Sequence, residues 1–172
     1  MTIPLNRTSL AVLLVTVLTL LAAGCMGASS GQEGPVELYL TNDGNVSHEF
    51  SVSVVEGEIG QNGTVIHRPD EPTSYASPKQ GLSTYIFPKK YDTVSGIELP
   101  ANRTRSIGTY DLAPGEQHQM NVTGFETGDT LVVVDKSNNH VGALITANCD
   151  DLGLDFVSVT AGPVRTSASY AC

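Results

Sequence analysis

Polar and apolar positions alternate along much of this chain. His48, Phe50, Val52 and Val54 fall on one side of an extended backbone, with Glu49, Ser51 and Ser53 on the other. That period of two predicts a half-buried strand. The same alternation marks residues 36–40 and 117–125, the latter through His118, Met120, Val122 and Gly124. Strand character also covers residues 104–112, 141–147, 154–160 and 164–170. Leu131-Val132-Val133-Val134 is apolar without a break, which predicts a buried central strand. Turn chemistry separates these runs. Asn42-Asp43-Gly44-Asn45 and Lys136-Ser137-Asn138-Asn139 reverse the chain, Ala113-Pro114-Gly115 predicts a type II turn, and Ala161-Gly162-Pro163 divides the last two strands. Asn62-Gly63 before Thr64-Val65-Ile66-His67 reads as a hairpin signal, because both turn residues tolerate positive φ. Residues 68–92 hold Pro69, Pro72, Pro78 and Pro88 and show no sustained period. They predict a long loop or an edge excursion, with a short strand at 83–87. No helix of useful length is expected. About seven to nine short strands with regular turns argue for an all-β antiparallel sandwich, Ig-like or cupredoxin-like.

The N-terminus follows a different pattern. Residues 10–21 are apolar except for Thr16 and Thr19, and Arg7 is the only charge before them. A positive start, an apolar centre and small residues before a cut describe a secretory signal peptide. The run to Gly24 is about 15 residues, and a membrane span needs roughly 20. Leu20-Leu21-Ala22-Ala23-Gly24-Cys25 closes it. These six residues resemble a lipobox, the site where a bacterial-type or archaeal lipoprotein is cut before a cysteine that then carries lipid. Ala22 stands where a larger aliphatic residue is usual. The resemblance implies lipidation at Cys25 and a two-chain lipid, which holds a protein stably where one chain does not. The expected organisation is a signal peptide at 1–24, a lipid-anchored flexible tether at 25–34 and a β-sandwich domain at 35–172.

Charge adds a partner class to exclude. Loss of Arg7 with the leader takes the formal charge from −9 to −10, and only four lysines are present (Lys79, Lys89, Lys90 and Lys136). An acidic surface disfavours nucleic acid and anionic lipid headgroups. A secreted chain that is acidic, poor in lysine and rich in Thr and Val resembles the cell-surface lipoproteins of salt-loving archaea.

With Cys25 assigned to the anchor, Cys149 and Cys172 remain as a pair in an oxidising compartment, and a disulfide is the default. If the last three strands run alternately up and down, both cysteines finish at one end. The bridge then forms either because the outer strands face each other or because the tails reach across the middle strand. Blue copper needs a thiolate, two histidines and usually a methionine. Cys149 is followed by Asp150-Asp151-Leu152-Gly153, with no His or Met after it. His48, His67, His118 and His140 show no close metal spacing, and His48 and His118 read as core or edge groups. Asp150, Asp151 and Asp155, with Asn148, offer oxygens to a hard cation or form a solvated acidic loop; Glu126 and Asp129 read the same way. Gly-x-Ser-x-Gly and His-Glu-x-x-His are absent, so neither catalysis nor a cofactor is expected.

The 68–92 segment is the candidate binding loop. Tyr75, Tyr85 and Tyr91 lie in it beside Lys79, Lys89 and Lys90. Tyrosine supplies contact area with a polar tip, suited to protein or glycan recognition. Asn45, Asn62, Asn102 and Asn121 each begin Asn-x-Ser/Thr and are candidate glycosylation sites. The sequence therefore points to a lipid-anchored extracellular lipoprotein acting as a binding or structural module of the cell envelope. Its expected partners are the membrane, through the anchor, and an envelope protein or glycan. The alternative is a cupredoxin-like metal or electron carrier.

Overall fold

The computed structural model describes residues 34–61, 63–69, 71–88 and 93–172, and every regular element among them is a strand. In chain order these are β1 Val36–Asn42, β2 His48–Val55, β3 Thr64–His67, β4 Ser74–Ala76, β5 Gly81–Ile86, β6 Gly96–Glu98, β7 Thr104–Leu112, β8 Gln117–Val122, β9 Thr130–Ser137, β10 His140–Asn148, β11 Phe156–Ala161 and β12 Thr166–Ala171. They form a five-stranded sheet ordered β5-β10-β9-β2-β7, a four-stranded sheet ordered β12-β11-β1-β8, and a three-stranded sheet ordered β4-β3-β6. Pairing is antiparallel throughout except between β1 and β11, which run parallel. The expected antiparallel sandwich is present, with that one exception and with a third layer added.

The alternating runs explain the main core. Val36, Leu38 and Leu40 of β1 and Val157 and Val159 of β11 face Phe50, Val52 and Val54 of β2 and Leu131 and Val133 of β9. Each such side chain, fully removed from water, stabilises by about 1.5–3 kcal/mol. The intervening residues Val132 and Val134 point the other way, into a second cluster with Ile59, Ile66, Ala76, Val94 and Leu144. The small sheet covers that face. A strand wetted on neither side has no reason to alternate, so β9 reads as a continuous apolar run.

Two turns match their residues. Asn138 and Asn139 sit at φ 50° and 58° between the paired residues Ser137 and His140, a two-residue hairpin turn of type I′. Gly115 has φ 81°, and Glu116 N–H donates to the Ala113 carbonyl at 3.0 Å, which makes the type II turn. Two other expectations are corrected. β3 makes no hairpin with β2; it pairs with β4 and β6, because both edges of β2 are taken by β7 and β9. For residues 68–92 the edge excursion holds and the long loop does not: β5 is the short strand expected at 83–87, on the edge of the five-stranded sheet, and β4 is a second strand in another sheet. The prolines that obscured this pattern all fall outside the strands, where no ladder hydrogen bond is lost.

Cys149 and Cys172 are joined, with Cα atoms 5.7 Å apart. Cys149 follows β10 in one sheet and Cys172 follows β12 in another. The outer strands therefore face each other, and the bridge ties two layers together. The same end of the sandwich receives the chain at Gly34, just before β1. β1 then crosses the domain, about 20 Å at the usual strand rise. The opposite end, called the far end below, carries the β1–β2, β9–β10 and β11–β12 turns.

Candidate functional site at the far end

His48 opens β2 on its inward side, in the row of Phe50, Val52 and Val54. A polar ring in an apolar row needs a partner. Asp135, on the same inward face of β9, supplies it: His48 Nδ1 lies 2.6 Å from Asp135 Oδ1. Asp135 is 0% exposed, and its other oxygen accepts the Thr166 hydroxyl from β12. One carboxylate thus joins both layers of the sandwich. His140 opens β10 beside them. Its Nε2 donates to the Phe87 carbonyl at 2.7 Å, and its buried Nδ1 has no partner.

Asn42 holds the neighbouring loop. It is fully buried and donates through Nδ2 to the Val46 carbonyl at 2.9 Å and the Leu112 carbonyl at 2.8 Å. Its Oδ1 accepts from Gly44 N–H at 2.9 Å. The Asx signal was legible as a turn; its long reach to β7 was not.

Two cavities flank His48. One, of about 180 Å³, opens between the layers and is lined by Gly44, Asp135, His140 and Arg165 among others. The other, of about 340 Å³, lies beside the β9–β10 turn and holds Glu49, Asp111, Lys136, Asn138 and Asn139. Glu49 is directly opposite Asp111 on β7 and Lys136 on β9, and it pairs with Lys136 at 3.5 Å. Among the described residues, no three His, Cys, Asp or Glu groups are placed to hold a metal ion. The arrangement offers fixed hydrogen-bond donors and acceptors at a surface cleft.

The sequence-derived candidates scatter. Tyr75 is exposed on β4. Tyr85, on β5, packs against the second core cluster and donates its hydroxyl to the Ser77 carbonyl at 2.7 Å; burial raises its pKa above the ordinary 10.0. Lys79 is exposed. Lys89, Lys90, Tyr91, Asn62 and Cys25 lie outside the described residues. Asn45, Asn102 and Asn121 are all exposed, Asn45 at the far end and Asn121 on the outer face of β8. His118 stacks on Tyr110 at 4.5 Å, and His67 meets Glu98 at 3.1 Å. Asp129 is not a solvated acid. It is buried and accepts from the Gly57 and Glu126 N–H groups. Asn148 is likewise committed, to the Gly128 and Asp129 carbonyls and to Asp150 N–H.

No protein-family model, curated protein or solved structure matches this chain.

Proposed function

We propose that this protein is a lipid-anchored module on the extracellular face of the cell membrane, and that it binds an envelope component through its far end. The lipobox-like residues 20–25 supply the anchor. The observation that carries the reading is the division of ends: the chain enters the sandwich at one end, and the polar cleft around His48 opens at the other. A tethered domain so built holds its cleft away from the membrane. Exposed asparagines at three Asn-x-Ser/Thr sites suit an extracellular surface. The sandwich is Ig-like or cupredoxin-like in this reading. The cupredoxin-like carrier is the weaker alternative, because Cys149 and Cys172 are bonded to each other and neither leaves a thiolate for copper.

Two measurements test the proposal. The intact mass of detergent-extracted protein is expected to show a chain beginning at Cys25 plus a two-chain lipid; an unmodified Cys25 terminus overturns the anchor. A photo-crosslinker at Val164, 92% exposed in the β11–β12 turn, is expected to capture an envelope component on whole cells. The same probe at Leu152, 60% exposed near the disulfide, is expected to capture much less. Equal capture from both ends, or none from Val164, rejects a far-end site.

A further inference from the structure

We infer that the larger far-end cavity binds a neutral saccharide through its hydroxyl groups. The inference rests on the binding-module reading and names the ligand class for that site. The residues that form the cavity are Ser, His, Glu, Asp, Lys and Asn, with no aliphatic side chain among them. An apolar ligand would gain nothing there, since the hydrophobic term scales with apolar area removed from water. An anion meets the wrong field. Asp111, Glu49 and Lys136 form one cross-strand row over β7, β2 and β9, and Lys136 is already paired with Glu49. Two carboxylates directly opposite each other on paired strands cost stability. Such a cost is most often retained at functional positions. A bare metal ion lacks three convergent ligands among the described residues.

A neutral polyol fits what remains. Each hydroxyl both donates and accepts, and the cavity supplies both kinds of group. Asp111 accepts. The carboxamides of Asn138 and Asn139 donate and accept, and the type I′ turn holds them in place at positive φ. Ser47 and Ser137 add hydroxyls. The volume, about 340 Å³, lies at the low end of small-molecule sites, about 300–1,000 Å³. With no aromatic platform, affinity for a single sugar ring is expected on the order of millimolar.

The test is an NMR titration of the full chain, isotope-labelled and extracted in detergent. The probes are glucose, galactose, mannose and N-acetylglucosamine, with glucuronate as an anionic counterpart. Saturable shifts are expected from at least one neutral sugar, confined to amides of residues 47–49, 95, 111 and 136–139, with weaker binding of glucuronate. The variant Asp111→Ser/Asn138→Gly keeps a turn residue that accepts positive φ, and its spectrum away from the cavity reports its fold. It is expected to bind at least tenfold more weakly. No saturable shift up to about 50 mM, tighter binding of glucuronate, or full binding by the folded variant overturns the inference. If sugars fail while Val164 still captures an envelope component, the saccharide assignment alone falls. If both fail, the binding-module reading falls with it.

Discussion

Asp135 is the residue on which the far end depends most. It satisfies His48 and Thr166 at once, from inside the sandwich. Asp135→Ala leaves the His48 ring nitrogen and the Thr166 hydroxyl without their partner and is expected to cost about 2–4 kcal/mol, and urea unfolding measures it. Asn42→Ala removes two donors from buried carbonyls and is expected to cost about 2–4 kcal/mol by the same measurement. Tyr85 gives a pH prediction. Its raised pKa comes from burial, so the unfolded chain releases this proton first. The stabilisation is intact below pH 10 and is lost as pH rises through the folded value. Phenolate absorbance is expected to show a late-titrating tyrosine that Tyr85→Phe removes. The hydrogen bond to Glu37 raises the exposed Tyr39 above the ordinary value too, so Tyr39→Phe is the control. His48 was legible as an inward residue because its neighbours alternate. Its partner was not, since 87 positions separate them and no local pattern links a strand residue to a distant carboxylate.

Elements were more legible than partners. β1, β2 and β10 stand where alternation or apolar runs placed them, because each buries at least one face and burial is what the pattern records. β3 was found as a strand, but its neighbours β4 and β6 were not. Asn-Gly chemistry specifies how a chain turns, whereas pairing depends on which sheet edges are open. β4 was hidden among prolines, and β5 showed only as the short strand at 83–87, because short edge strands are only half buried and so carry a weak pattern. The β9–β10 turn yields a sharp local test. Asn139→Ala places a Cβ residue without a side-chain amide at φ 58° and is expected to cost about 1–2 kcal/mol. Asn139→Gly is expected to be neutral or nearly so, and thermal unfolding distinguishes the two. The candidate loop of Tyr75, Lys79 and Tyr85 was read from composition, and composition does not say which tyrosine the core consumes.

At the scale of the whole molecule, three layers and one bridge define the domain. The pairing of Cys149 with Cys172 was legible by count and compartment; only the fold could choose between facing outer strands and tails crossing a middle strand. Replacing both cysteines by serine is expected to cost roughly 3 kcal/mol in the chain-entropy model. For a domain of this size that lowers Tm by about 10 °C, and calorimetry of the folded variant checks it. β1 has a consequence of another kind. It lies between β8 and β11, hydrogen-bonded to both, and it is the strand that the chain preceding Gly34 enters. A load between a gripped far end and that entering chain acts along β1. Both ladders then resist together in shear, where a strand peeled from one end would yield a bond at a time. The two ladders of β1, parallel with β11 and antiparallel with β8, thus give the domain mechanical strength along that strand.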